Sequence, residues 1–100
     1  MKYVHKRGSE MYRKLEREAI SRGASKFGIS NKGTYKYFVV YDGKTIHFGH
    51  RKYSDYTHHS DDKRRDNYKI RHKAILKKDG KPAYLDPNQP SYWSLNLLWT

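Results

Sequence analysis

Apolar residues first recur at helical spacing. Tyr12, Leu15 and Ala19 fall on one face, with Met11 and Ile20 beside it, while Arg13, Lys14, Glu16, Arg17, Glu18 and Arg22 take the solvated side. Ser9 offers an N-cap, Glu10 places a negative charge in the first turn, and Gly23 supplies a left-handed stop. The pattern predicts a helix from Glu10 to Arg22. Residues 24–33 read as a linker anchored by Phe27 and Ile29, with Asn31 and Gly33 favouring a turn.

Period-two patterning then takes over. Tyr35-Lys-Tyr-Phe-Val-Val-Tyr41 is the best strand signal in the chain, followed by Asp42-Gly43 and a return strand, Lys44-Thr-Ile-His-Phe48. A two-residue type I′ turn needs positive φ at both central positions, which Asp-Gly tolerates. That turn sets Tyr41 opposite Lys44, Val39 opposite Ile46 and Tyr37 opposite Phe48. The last two pairs share the expected core face. Two strands alone are marginal, so helices must pack on them.

Beyond Gly49 and the basic loop His50-Arg51-Lys52, Asp55 caps a short turn running through His59. Asp61 and Asp62 sit at the positive end of a second long helix, expected over Asp62 to Lys77 and ended by Asp79-Gly80. Arg64, Tyr68, His72 and Ile75 form one stripe on it. Residues 81–90 form an extended, proline-pinned crossing. Ser91 caps a short helix, Tyr92 to Trp99, that is apolar nearly all round and reads as the plug of the core. The expectation is a small α+β domain over residues 9–100, ordered helix, β-hairpin, helix, short C-terminal helix, behind a basic arm at residues 1–8 that orders on a partner.

Composition sharpens this. One hundred residues make one domain with a small core, and with 35% apolar residues that core must lean on ten Tyr, three Phe and two Trp. The formal net charge of +12 favours polyanionic partners, either nucleic acid or the acidic face of a protein. A membrane is disfavoured: no apolar run approaches ~20 residues, no basic face is paired with a broad apolar one, and the N-terminus lacks a signal-peptide stretch. The absence of cysteine rules out disulfides and thiolate zinc sites.

The chemistry concentrates between His50 and His72. Lys44, Arg51, Lys52, Arg64, Arg65, Arg71 and His72 are the candidate contacts to DNA or an acidic partner, because arginine forks match phosphate and carboxylate oxygens. Tyr35, Tyr37, Tyr53, Tyr56 and Tyr84 can stack on bases or pack as core. An alternative uses His47, His58 and Arg65 catalytically, with His58 and Asp61 holding a divalent metal. A hairpin followed by a helix is the skeleton of a ββα-metal nuclease, and a hairpin ahead of an arginine-bearing helix resembles, in outline, the GIY-YIG nucleases. The second strand reads Ile46-His47-Phe48-Gly49, however, which is not the GIY-YIG signature. In the competing structural reading, Asp55 and Asp61 cap turns and pair with Arg64 and Arg65, while His58 packs in a polar hub.

Taken in order, Ile46-His47-Phe48-Gly49, Tyr53-Ser-Asp-Tyr-Thr-His58, Arg65-x-x-Tyr68-x-x-Arg71-His72 and Trp93-Ser-Leu-Asn-Leu-Leu-Trp99 resemble a family of short basic proteins of large double-stranded DNA viruses. The likeness runs from about Gly23 to Trp99. It implies no reaction. It implies a viral setting, with the chain in the virion and in the host cytoplasm or nucleus during infection. The expected role is a non-enzymatic minor capsid or genome-associated component without cofactor, binding DNA or acidic faces of larger virion proteins. A small metal-dependent nuclease is the alternative.

Overall fold

The computed structural model describes residues 3–100; Met1 and Lys2 of the expected arm lie outside the described residues. Helix α1, Glu10–Ser21, opens with the Ser9 side chain accepting from the Tyr12 amide and buries Tyr12, Leu15 and Ala19. Strands β1 (Lys26–Ile29), β2 (Tyr35–Tyr41) and β3 (Lys44–His50) form an antiparallel sheet in the order β1-β2-β3. Asp42 and Gly43 both take positive φ, 50° and 73°, as a type I′ turn requires. The register pairs Val39 with Ile46 and Tyr37 with Phe48, as the turn dictates.

The third strand was not expected. Lys26-Phe-Gly-Ile is too short and too interrupted to signal itself. It forms because β2 has a second edge to satisfy, and Phe27 joins the core when paired with Val39. On the outer face Phe38 lies over Gly28, whose missing side chain makes room for the ring: a Cβ there would stand 2.6 Å from it.

Helix α2 is one turn, Tyr56–His59, capped by Asp55. Helix α3, Asp62–Lys73, is capped by Asp61, whose carboxylate accepts from the Lys63 and Arg64 amides. It stops four residues before the expected Lys77. Past Ala74 the backbone leaves the helix to bridge Leu76 with Pro82, and Lys77 pairs with Asp86 at 2.9 Å. Asp79-Gly80 therefore turns this small loop rather than ending the helix.

Helix α4, Pro90–Trp93, has Pro90 rather than Ser91 at its start, since proline's fixed φ suits the first helical position. It widens into a π-helical segment, Ser94–Leu98. As expected of a plug, Trp93, Leu95, Leu97, Leu98 and Trp99 are buried. All but Leu95 close against Tyr12, Leu15, Phe27, Tyr37, Val39, Ile46 and Phe48, and the Trp93 indole donates to the Pro87 carbonyl at 2.7 Å.

Candidate functional site

The Tyr53–His58 stretch builds a buried polar hub. Asp55, 1% exposed, accepts from the Lys36 ammonium at 2.6 Å, the Thr57 amide at 2.9 Å and the Thr57 hydroxyl, and lies 3.2 Å from His58 Nδ1. Lys36 is itself 1% exposed. Burial pulls its pKa down, and the Asp55 charge opposes that fall. A lysine is almost never buried this fully unless it is paired. What brings it inside is Gly49, its cross-strand neighbour: φ there is +77°, and a Cβ would meet Leu98 at 2.9 Å and Lys36 Cβ at 3.2 Å. Glycine opposite a strand lysine was the sequence signal for this packing.

The expected free arm packs against the same hub. Val4 is buried, the His5 amide donates to the Tyr37 phenol oxygen at 2.9 Å, and His5 Nε2 lies 3.0 Å from the Thr57 hydroxyl. The His5 and His58 rings stack at 4.1 Å, nearly parallel, with Tyr3 edge-on to His58. Burial, then the His58 ring, push the His5 pKa down.

Beside the hub, α3 and the β3–α2 loop enclose a two-lobed cleft, with volumes of about 460 and 600 Å³. Both lobes share Tyr53, Ser54, Tyr68, Arg71 and Trp99. Its floor is a stack of rings: Tyr68 lies between His72 at 3.8 Å and Trp99 at 4.1 Å, and His59 leans on Trp99. The Tyr68 hydroxyl meets Ser94 Oγ at 2.7 Å, which ties the floor to the C-terminal segment. Among the described residues, two buried ring nitrogens, His72 Nδ1 and His59 Nε2, have no hydrogen-bond partner. Burial lowers both histidines' pKa values, helped by Arg71 for His72 and Arg64 for His59. These rings are therefore held neutral and inward.

The rim differs from the floor. Arg64 and Arg71 stand two turns apart on α3, both exposed, and among the described residues neither is in an ion pair. Tyr53 is 65% exposed and Ile70 70%. Arg65 is engaged, lying over the Tyr56 ring at 4.8 Å and pairing with Asp66 at 3.3 Å and more loosely with Asp62. The Arg51 guanidinium donates to the Tyr35 and Ser30 carbonyls, which fixes the end of the sheet. Lys52 is exposed in the same loop. Lys44 is exposed at the far end of β3, six residues from the cleft-lining His50, or about 20 Å along the strand.

Among the described residues His47 and His58 share no partner. His47 faces Ser30 at 2.8 Å and the Tyr35 and Phe38 rings, whereas His58 belongs to the Asp55 hub. Asp61 is occupied in capping α3. Among the described residues no group of three or more histidines and carboxylates could hold a metal ion. As the structural reading expected, Asp55 and Asp61 are caps and His58 packs in the hub; the arginine pairs run instead from Arg65 to Asp62 and Asp66. Trp99 lies in the core as expected and also lines the cleft, whereas Ser94, bonded to Tyr68, was not among the expected site residues. The hydroxyl one helical turn into an otherwise apolar segment was the available sign.

Over residues 26–72 the chain is similar to a family of unknown function, DUF5754. The match starts at β1 and ends one residue before the end of α3. It takes in the sheet, the hub and the arginine-bearing helix, and leaves out α1 and the closing C-terminal segment. No curated protein and no solved structure matches the chain.

Proposed function

We propose that this protein is a non-enzymatic nucleic-acid-binding component of a virus particle, holding DNA along α3 and the adjoining loop. One observation carries the reading: Arg64 and Arg71 stand exposed and outside any ion pair among the described residues, on the rim of a cleft that also presents Tyr53. Helix α3 carries six basic residues against two acidic ones, so the field there is positive even after Arg65 is neutralised. Guanidinium forks engage phosphate oxygens bidentately, and an aromatic ring beside them adds contact area. The viral setting rests on the ordered motif string, several of whose residues fall in the hub, the ring stack and the C-terminal plug.

Binding of fluorescently labelled DNA, followed by anisotropy against salt, tests the reading. Affinity is expected to fall steeply as salt rises, and Arg64→Ala or Arg71→Ala should each weaken binding and lower the salt slope by about one. An affinity that salt leaves unchanged overturns it. The exposed Ile70 and Ile75, which line the same cleft, favour a second reading, in which this face docks on a larger virion protein whose acidic groups meet the rim arginines. A chain that passes unretained through immobilised DNA but is retained by disrupted shells would select that one.

A further inference from the structure

The cleft carries features that phosphate binding does not use. Tyr53 is the most exposed large aromatic ring of the described residues, and it lines both lobes. Ile70, one residue from Arg71 on α3, is more exposed still and lines the outer lobe. Behind them Tyr68 cannot swing away, being clamped between His72 and Trp99 and tied to Ser94. A rigid floor, a raised ring and two cations on the rim form a platform for a flat apolar face attached to an anion. The faces of paired bases are stacked inside a duplex, so duplex DNA has nothing to lay on Tyr53. A single strand presents both the base face and the phosphate.

Resting on the nucleic-acid reading above, we infer that the cleft receives an unpaired base of a single-stranded nucleic acid. The base stacks on Tyr53 and packs against Ile70, while its flanking phosphates meet Arg64 and Arg71. A base entering from a duplex would first have to leave its stack, at a cost the single strand does not carry. The preference for single strands therefore follows from the cleft and not from the charge.

Three probes of about 12 nucleotides separate the possibilities at one fixed salt concentration: an intact single strand, a single strand of the same length lacking its bases, and the duplex. The intact strand should bind roughly fivefold or more tighter than the abasic one. It should also change the fluorescence of Trp99, which lines the cleft whereas Trp93 is fully buried. Tyr53→Ala, at an exposed position, should weaken the intact strand far more than the abasic one and so erase most of the difference between them. Equal affinity for intact and abasic strands, or equal weakening of both by Tyr53→Ala, overturns the base site while the phosphate-gripping face stands. Failure of all three probes to bind overturns both.

Discussion

At the scale of single residues, Lys36 and Gly49 decide how the hub is made. A lysine 1% exposed beside an aspartate 1% exposed is tolerable only while both charges are present. Lys36→Met leaves the Asp55 charge buried without its counter-ion. The expected cost is about 3–5 kcal/mol, a fall in Tm of roughly 12 °C or more in thermal unfolding. Gly49→Ala meets both a left-handed backbone and the Leu98 and Lys36 side chains, so a loss of about 1–3 kcal/mol is expected in denaturant titration. Neither effect follows from the identity of one residue alone. Lys36 sits in the alternation of a good strand, where a lysine ordinarily points to solvent, and its burial depends on the cross-strand vacancy at Gly49 and on Asp55, nineteen residues away. The caps were easier to read, because Ser9, Asp55 and Asp61 each act within three residues of their own position.

At the scale of elements, what was legible was what is local. The Asp42-Gly43 turn fixes the β2–β3 register by itself, so every cross-strand pair followed once the turn was seen. Strand β1 has no such local cause. It exists because β2 offers a partner, and its glycine reads as a break until Phe38 is placed above it. The end of α3 was overrun for a similar reason: Lys77 is called away by Asp86, on a segment the helical pattern does not include. The cleft lay beyond reach of periodicity, because its floor joins Tyr68 of α3 to Ser94 and Trp99 of the C-terminal segment. Leu98 ties that segment to the sheet end and is 1% exposed. Leu98→Ala should cost about 2–5 kcal/mol. It should also loosen the Trp99 environment, visible as a shift in tryptophan emission before global unfolding.

At the scale of the whole molecule, inward histidines oppose the basic surface. Burial holds His5, His59 and His72 below the ordinary value of 6.5, so their neutral forms are favoured in the fold. A depressed folded pKa means the unfolded chain binds more protons just below 6.5. The stabilisation is then complete above 6.5 and lost as the pH falls through the folded values. Tm should therefore drop between about pH 7 and pH 5. In His5→Gln the drop should be smaller, because the stacked His5–His58 pair no longer meets a second positive charge. A Tm that holds steady or rises on acidification would contradict this placement of the rings. Across the molecule charges sort by depth: Lys36 is matched inside by Asp55, while Arg64 and Arg71, outside any ion pair among the described residues, stand on the rim of the cleft.

The clasp of Tyr3, Val4 and His5 over the hub has a temporal consequence. Residues 3–5 bind partners as distant as Thr57, so they must wait for the sheet and α2 to assemble before they can dock. Contacts of such long separation close after the folding barrier more often than before it. In stopped-flow refolding, His5→Ala should leave the folding limb nearly untouched and steepen the rate of escape from the native state, so that the first residues act as the latch on a door hung by the rest.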